Sequence, residues 1–595
     1  MSALNAPPQV LQKILASRNW LAGILLFVAT AAVVLWQNAH LTVLWDLSYV
    51  LETSLRFSQG QMPYRDFPLV HPPLTFAVQA VLIKLFGRHM IVHALYAACA
   101  GGLGTVLSWR ILLGLLGGSE EKKKFVGWLG LLLAAPLTVV GLYCIFPHPS
   151  YDCDTALAVL LSLYLLQRLD RPKAGAEAGF LAGAVAVLPS LYKQNIGLPY
   201  LFAVVVLIAL LLVKSWLHFS EARAERRKFF WFLAGVAATL AASLLAIELT
   251  ACLGNYLHWI VRFAGERRMP GLSVMVGVYQ CLYLLWALPC TLVGAQLLRA
   301  SAPWARSLWS RLGALALLAA PWLYVLAQLP ENLDDPDSFG DYFLGLWPLV
   351  LVLAELLLMV RIVRLFRDRT AKTAVAPLLA LASLGAIHGT MMSQQLWGST
   401  YSLWPFLLFL LADCLLWLHG PHRTQNTPPT WLIAASTGIV SLVLLVCGGY
   451  YMASEERLSY VNLPEGPALH SATPALNALA TPGPYLANLD ELVRYTDKNI
   501  PMSDAIVLLP GEDPFYFATG RTVQFPVLLF DPSTDPYTPA DVLRLVHERP
   551  VKWLIVKRVE QIHADPTPER AATLAVLSTE FKLAAQLTGY DVYRR

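Results

Sequence analysis

The sequence predicts a polytopic α-helical membrane protein with about 13 transmembrane helices and a C-terminal extracytoplasmic α/β domain. Of its 595 residues, 56% are hydrophobic and only 14% are charged, which is too apolar for a soluble chain of this length. Apolar runs of about 17 to 25 residues, long enough to cross a hydrocarbon core of about 30 Å, recur along most of the chain. After Tyr451 the composition becomes that of a soluble domain.

The apolar runs define thirteen predicted transmembrane segments. They cover approximately residues 20–36, 90–116, 125–146, 153–167, 177–192, 197–213, 229–252, 273–298, 312–328, 343–360, 374–390, 401–418 and 430–451. The first is interpreted as an uncleaved signal anchor, because a polar loop follows it. The apolar segment 72–87 is too short to cross the core, so we expect an amphipathic or re-entrant helix at the outer surface.

Lysine and arginine are unevenly distributed over the connections. With a cytoplasmic N-terminus, the basic loops all lie inside, as the positive-inside rule requires. These loops are 120–124, 168–173, 223–228, 299–311 and 361–372. The pattern predicts a multi-pass protein whose first outer loop (37–89) and C-terminal domain (452–595) face outward. The short loops favour a bacterial inner (plasma) membrane, with the C-terminus in the periplasm.

Residues 452–595 are predicted to form a small soluble α/β domain beside the membrane domain 1–451. Strand-like runs at 505–509, 523–529 and 551–556 alternate with helical patterns at 487–498, 538–548 and 566–580, and 581–594 is typical of a closing hairpin. The sequence contains no P-loop, GxGxxG or zinc signature, which disfavours a pump driven by ATP from the same chain. It also lacks a basic groove interleaved with aromatic residues, so no nucleic-acid partner is expected.

Four outer segments collect the polar side chains that are candidates for function. They are Asp46, Arg65, Asp66 and His71 in the first outer loop, Asp152 and Asp154 at the fourth span, Tyr192 and Lys193 after the fifth span, and Arg262, Arg267 and Arg268 before the eighth. Ionisable groups at the rim of a bilayer are costly to desolvate, which makes them functional candidates. Carboxylates that accept a proton and cations that bind phosphate together suit a lipid-phosphate substrate.

The first outer loop resembles that of a known superfamily. The resemblance rests on Asp46, Tyr49, Gly60, Pro63-Tyr64-Arg65-Asp66 and His71-Pro72-Pro73-Leu74. These residues look like the first outer loop of the GT-C superfamily of polyprenyl-phosphate-sugar glycosyltransferases, particularly the protein O-mannosyltransferase and lipid A aminoarabinose transferase group. The motif Tyr192-Lys193-Gln194-Asn195-Ile196-Gly197 resembles a lysine-containing outer motif that follows the fifth span in that group, and the order of spans, outer loop and C-terminal domain is similar too.

This resemblance implies a reaction and a set of roles. A hexose or pentose would pass with inversion from a polyprenyl-phosphate donor to a lipid, protein or glycan acceptor at the periplasmic face. Asp46 would be the catalytic carboxylate that acts on the acceptor hydroxyl, with Asp66 and His71 as supporting catalytic candidates. The residues assigned to the substrate and its phosphate are Arg65, Asp152, Asp154, Tyr192, Lys193, Arg262, Arg267 and Arg268.

Each assignment has an alternative. Asp46 also suits the N-cap of a juxtamembrane helix, Asp66 suits a turn, and Lys193 suits snorkelling to lipid headgroups. A divalent metal at Asp152 and Asp154 stays open, although two carboxylates are too few ligands to define a site. For the whole protein, the alternatives are a secondary transporter or lipid flippase and a non-catalytic sugar-binding membrane protein.

Overall fold

The computed structural model describes residues 9–117, 123–218, 223–300, 302–367, 374–392, 402–419, 430–454, 458, 461–562 and 568–595. Apolar helices make up most of the chain up to residue 454, and a C-terminal region with a small mixed sheet follows. The predicted fold class is therefore confirmed. The parts of the basic loops 120–124 and 361–372 that fall in the gaps lie outside the described residues.

The helices up to residue 454 are numbered in chain order. They are α1 (Gln9–Asn38), α2 (Leu44–Ser58), α3 (Leu74–Phe86), α4 (Met90–Leu116), α5 (Lys123–Ala134), α6 (Leu137–Val140), α7 (Tyr151–Arg168), α8 (Ala176–Tyr192), α9 (Gln194–His218), α10 (Arg223–Ala251), α11 (Leu253–Leu257), α12 (Ala264–Arg268), α13 (Leu272–Met275), α14 (Leu284–Arg299), α15 (Leu308–Gln328), α16 (Pro336–Leu344), α17 (Leu346–Arg367), α18 (Leu379–Thr390), α19 (Trp404–His419) and α20 (Thr430–Ala453). A π-helical turn, His258–Phe263, joins α11 to α12.

By length and composition, seven helical stretches among the described residues are able to cross a membrane, and six shorter apolar helices have 10–17 residues. Every predicted transmembrane segment contains a helix, and the largest differences in extent from the prediction occur in two segments. The segment 125–146 is interrupted at Pro136, which has no amide hydrogen to donate. The segment 273–298 becomes a continuous helix only at Leu284, because α13 and a short 3-10 turn fill its first part.

Helix α3 occupies the apolar segment that was predicted to lie at the outer surface. It has 13 residues, which correspond to about 20 Å of helix and are too few for a hydrocarbon core of about 30 Å. It begins directly after His71-Pro72-Pro73, so the loop with the candidate residues is held between α2 and α3.

Small residues allow some of the membrane helices to pack closely. Gly183 on α8 faces α10, where an added Cβ would overlap the carbonyl oxygen of Phe232. Such contacts between small residues and a facing backbone are a common basis for helix association in membranes. The close contact fixes α8, whose C-terminal end carries the predicted lysine motif.

The C-terminal region contains helices and short strands. They are β1 (Leu469–His470), β2 (Ala480–Thr481), α21 (Tyr485–Asn499), β3 (Ala505–Leu509), α22 (Phe515–Thr519), α23 (Pro539–Glu548), β4 (Val551–Lys557), α24 (Pro568–Leu577), β5 (Lys582–Gln586) and β6 (Tyr590–Arg594). The main sheet has the order β3-β4-β6-β5, with β3 parallel to β4 and the other neighbours antiparallel. Strands β5 and β6 form the predicted closing hairpin.

The strand predicted at 523–529 is not a strand. Val523, Phe525, Val527 and Leu529 are buried, which explains the alternating pattern in the sequence. The segment is nevertheless in none of the described strands. The alternating apolar residues belong to an extended segment that packs one side against the core. The period of the apolar residues does not reveal whether the backbone forms hydrogen bonds with a neighbouring strand.

Candidate functional site

Three of the four predicted polar segments meet at one cavity of about 530 Å³. Its polar wall comes from the first outer loop, the α8–α9 junction and α12. The polar lining residues are His71, Lys193, Gln194, Asn195 and Arg268. His71 and Arg268, which are 197 positions apart in sequence, thus share one surface and contact each other.

Lys193 is positioned by the sharp junction between α8 and α9. It adopts an extended backbone conformation, with φ −150° and ψ 122°, between the last residue of α8 and the first of α9. Gly197 permits the close approach of the two helices, because a Cβ there would overlap the backbone of Pro189 and Ser190. The glycine in the motif therefore determines where the lysine side chain begins.

The Lys193 ammonium is paired with a carboxylate at the edge of the cavity. Its Nζ lies 2.5 Å from Asp152 Oδ1, and the two side chains are only 7% and 3% exposed. It also lies 5.1 Å from the centre of the Tyr151 ring. A paired, buried ammonium next to a cavity offers a fixed positive charge with little reorganisation on ligand binding.

His71 links the polar groups of three elements. Arg268 Nη1 lies 3.3 Å from its Nε2, and the Tyr49 hydroxyl lies 3.1 Å from its Nδ1. Because arginine can only donate, Nε2 is assigned as the acceptor and Nδ1 as the protonated nitrogen. Burial, together with the positive charges of Arg268 and Lys193, holds the pKa of His71 well below its usual value. His71 is therefore neutral near pH 7.

Asp46 lies beside this group in the first turn of α2. It is half-buried, and it is one helical turn before Tyr49, so the two residues lie on the same face of the helix. It is close enough to interact electrostatically with Tyr151, whose ring stacks on that of His71 at a centroid distance of 4.0 Å. Asp46 is thus a carboxylate close to the polar wall of the cavity.

Asp154 has a different environment from Asp152. It is buried and accepts hydrogen bonds from the hydroxyls of Thr75 (2.8 Å), Tyr96 (2.7 Å) and Tyr143 (2.6 Å). The hydrogen bonds from Thr75 on α3 and Tyr96 on α4 to Asp154 connect these two helices to α7. The two carboxylates do not fit a shared metal site, and no group of three or more metal-ligating side chains occurs among the described residues.

The remaining predicted residues lie away from the cavity lining. Asp66 accepts from the amide of Met62 (2.7 Å) and pairs with Arg65 (2.9 Å) at the surface. Tyr192 is half-buried at the end of α8. Arg65, Asp66 and Tyr192 therefore do not line the cavity. The hydrogen bond from the Met62 amide fits the alternative role of Asp66 in a turn.

Two of the three arginines before α13 also point elsewhere. Arg262 pairs with Glu266 on the exposed surface (3.2 Å), and Arg267 donates to the carbonyl of Pro532 (3.1 Å). Only Arg268 lines the cavity. Successive residues of a helix point in different directions, so the run of arginines could not all face one site.

The cavity also contains residues that the sequence reasoning did not select. Gln194 and Asn195 line the cavity, although the sequence identifies them only as neighbours of Lys193 in the lysine motif. The sequence does not identify the residues of the apolar wall, because they are of the same types as residues that face lipid. This wall consists of Leu198, Pro199, Phe202, Ile260, Val261, Ala264, Met269 and Met392.

The apolar wall continues to the outside of the helix bundle. Leu198, Phe202, Val261 and Met269 line the cavity and are each at least half exposed. A cavity with cations at one end and exposed apolar side chains at the other is amphipathic. Such a site is suited to a ligand with an anionic head and an apolar tail. The sequence also predicts a polar outer turn at 391–397, of which the part after Met392 lies outside the described residues.

No protein-family model and no curated protein matches the sequence. The chain is similar to the solved structure of ArnT from Cupriavidus metallidurans bound to undecaprenyl phosphate, with 13% identity, 96% of this chain and 97% of that chain covered, and a TM-score of 0.49. It is also similar to the archaeal oligosaccharyltransferase AglB from Archaeoglobus fulgidus in complex with an inhibitory peptide and a dolichol-phosphate, with 11% identity, 90% and 69% covered, and a TM-score of 0.46.

ArnT and AglB both belong to the GT-C superfamily, the superfamily that the first outer loop resembles. The identities are below 25% and the TM-scores are below 0.5. The function proposed next therefore rests on the charges, contacts and exposure of this chain's own residues.

Proposed function

We propose that this protein is an integral-membrane glycosyltransferase that takes a sugar from a polyprenyl-phosphate donor. The observation that carries the proposal is the amphipathic cavity, which has Lys193 and Arg268 at its polar end and an exposed apolar wall at the other. A lipid-linked phosphate has the matching chemistry, because its anionic head and its apolar tail are joined in one molecule.

Lys193 and Arg268 are the residues proposed to bind the donor phosphate. Arginine donates two hydrogen bonds in a fork to phosphate oxygens, whereas lysine acts as a point charge. Asp152 already balances Lys193, so the net positive charge at the cavity comes mainly from Arg268. Leu198, Phe202 and Met269 would contact the polyprenyl chain.

Asp46 is proposed as the general base for the acceptor. The acceptor hydroxyl oxygen would attack the anomeric carbon while the bond from that carbon to the phosphate oxygen breaks. The bonding electrons leave with the polyprenyl phosphate, and Asp46 takes the hydroxyl proton. Attack from the side opposite the phosphate inverts the anomeric configuration, and Arg268 and Lys193 stabilise the charge on the leaving phosphate.

His71 is proposed as a positioning residue for Arg268. Its neutral ring accepts from the guanidinium and contacts Tyr49, which lies one turn after Asp46. This chain of contacts connects the proposed base to the proposed phosphate site. His71 therefore fixes the relative position of the groups at the two ends of the reacting bond.

The finer features of the prediction remain part of this proposal. They are the periplasmic side for the reaction, a bacterial inner membrane with a cytoplasmic N-terminus, and a lipid, protein or glycan acceptor. The membrane domain 1–451 would carry the catalytic groups. Several apolar helices support a multi-pass membrane protein.

The test is sugar transfer by purified protein in liposomes with a radiolabelled polyprenyl-phosphate sugar. Arg268→Ala removes a charged hydrogen-bond donor, and such bonds contribute about 1.5–3 kcal/mol, so the KM for the donor should rise by roughly 10- to 100-fold. Arg262→Ala, which changes an exposed arginine six residues earlier, is the matched control and should leave KM unchanged.

An unchanged donor KM in Arg268→Ala would contradict the phosphate assignment. Movement of intact donor across the bilayer with no transferred label would favour the flippase alternative instead.

A further inference from the structure

Helix α2 has two faces with different neighbours. One face carries Asp46 and Tyr49, and the Tyr49 hydroxyl contacts His71 of the cavity wall. The other face buries leucines in the hydrophobic core of the C-terminal region, where they pack with residues of α21, α22, β3 and β4. These leucines are Leu44, Leu47, Leu51 and Leu55. The helix that carries the proposed base is therefore also a core element of the C-terminal region.

Polar contacts fix α2 to the C-terminal region along its length. Glu52 Oε1 accepts from the amides of Tyr516 (2.8 Å) and Phe517 (3.1 Å). The Ser48 hydroxyl lies within hydrogen-bond distance of the carbonyl oxygens of Gly511 (3.0 Å) and Asp513 (2.9 Å). The contacts repeat at an i, i+4 spacing, which is one side of a helix.

The N-terminal end of α2 is held separately by Gln561. Its Oε1 accepts from the amide of Leu44 (2.7 Å), and its Nε2 donates to the carbonyl of Thr42 (2.8 Å). The two contacts lie two and four residues before Asp46 on the chain. The start of α2, where Asp46 lies, is thus fixed by a side chain from the C-terminal region.

The part of the C-terminal region that contacts α2 is itself tied together by buried charges. Lys557 Nζ lies 2.5 Å from Glu512 and 2.7 Å from Asp513, and all three side chains are at most 2% exposed. Tyr590 donates to Asp513 (2.8 Å), and the amide of Gln561 donates to Glu512 (2.8 Å). The group connects β4, β6 and the segment before α22, so the surface beneath α2 is rigidly defined.

We propose that the C-terminal region is a platform that sets the position of Asp46 by holding α2, with Glu52, Ser48 and Gln561 as positioning residues. The inference rests on the proposed role of Asp46. In this proposal the C-terminal region contributes to catalysis by positioning Asp46. Helix α2 then belongs functionally with that region. A displacement of about 1 Å at a reacting group is sufficient to lower a rate by up to 100-fold.

Glu52 provides the sharpest test because its acceptor role and its charge are separable. Burial raises its pKa to about 8. Its Oε2 is buried and has no hydrogen-bond partner among the described residues, whereas Oε1 accepts both amides. Burial thus favours the neutral acid form of Glu52, and glutamine has the same shape and retains the accepting oxygen.

The experiment compares Glu52→Ala, Glu52→Gln and Ser48→Ala in the full-length protein in liposomes. Glu52→Ala should lower kcat by roughly 10- to 100-fold and leave the donor KM nearly unchanged, because Lys193 and Arg268 are not part of α2. Glu52→Gln should restore kcat. Arg544→Ala, which changes an exposed arginine on α23, is the matched control and should behave as the wild type.

Hydrogen exchange of residues 44–58 provides a readout that does not depend on activity. Exchange should be faster in Glu52→Ala and Ser48→Ala than in the wild type, and unchanged in Glu52→Gln. If Glu52→Ala does not fold, Ser48→Ala decides the test by the same two measurements.

Wild-type kcat together with wild-type exchange in the variants would overturn the inference. Equal loss in Glu52→Ala and Glu52→Gln would also overturn it, because it would mean that the charge of Glu52 matters and its hydrogen bonds do not. A wild-type protein that transfers no sugar would refute the proposed function alone, since the exchange measurements would still decide whether the platform holds α2.

Discussion

The substitution Asp152→Asn removes the charge partner of Lys193 while retaining the shape of the side chain. Exposed fractions of 7% and 3% and an Nζ–Oδ1 distance of 2.5 Å place this ion pair among buried pairs. Removal of one partner from a buried pair typically costs about 3–5 kcal/mol, because the other charge is left uncompensated. We therefore expect the free energy of unfolding to fall by about that amount, measured by denaturant titration of the purified protein in detergent.

Two comparisons separate this charge effect from other causes. The exposed pair Arg262–Glu266 has exposed fractions of 73% and 64%, so Glu266→Gln should cost at most about 1 kcal/mol. The double variant Asp152→Asn with Lys193→Met removes both charges and should recover most of the lost stability.

A polyprenyl phosphate should stabilise Asp152→Asn more than the wild type, because its phosphate supplies the missing negative charge to Lys193. A loss below about 1 kcal/mol in Asp152→Asn, or no recovery in the double variant, would refute the reasoning.

Two further predictions concern Asp154 and His71. Asp154→Asn should lower the free energy of unfolding by roughly 1.5–3 kcal/mol, because a carboxylate that accepts three hydroxyls is replaced, and denaturant titration should show this with an unchanged donor KM. His71 is neutral in the folded protein but is protonated in the unfolded chain below about pH 6.5, so stability falls with decreasing pH by up to about 1.4 kcal/mol per unit. This acid-side loss should be smaller in His71→Gln; equal pH slopes between pH 7 and 5 would contradict the assigned pKa shift.

The sequence predicted the membrane helices well because length and apolar composition decide them. Every predicted segment contains a helix, and the apolar segment 72–87 contains the short helix α3. The irregular stretch before Leu284 was missed because its residues are as apolar as those of a helix. Its exposed leucines and valines give no sign of where regular hydrogen bonding stops.

The candidate site was predicted in part. His71, Lys193 and Arg268 were selected as ionisable groups at the rim of a membrane, and the structure brings them to one cavity. Arg262 and Arg267 share that signal but not the location, because residue type does not reveal the direction of a side chain. Asp152 and Asp154 are likewise the same residue type in one segment, and only the folded structure distinguishes them. Asp152 pairs with Lys193, whereas Asp154 accepts from the Tyr96 hydroxyl.

The role of the C-terminal region could not be predicted from local sequence. The contacts of Ser48 and Glu52 join residues that are more than 460 positions apart. A leucine-rich face of α2 is also what a helix against the membrane would show. Only the folded chain identifies the residues that cover that face.

The central claim is that Asp46 accepts the acceptor proton in a sugar transfer from a polyprenyl-phosphate donor. The most direct measurement is the single-turnover rate of Asp46→Asn, with donor binding measured separately and Asp66→Asn as the matched control in the same loop. General-base catalysis contributes roughly 10²- to 10⁴-fold, so Asp46→Asn should lose that factor with donor binding retained, while Asp66→Asn keeps the wild-type rate. A wild-type rate in Asp46→Asn would contradict the account.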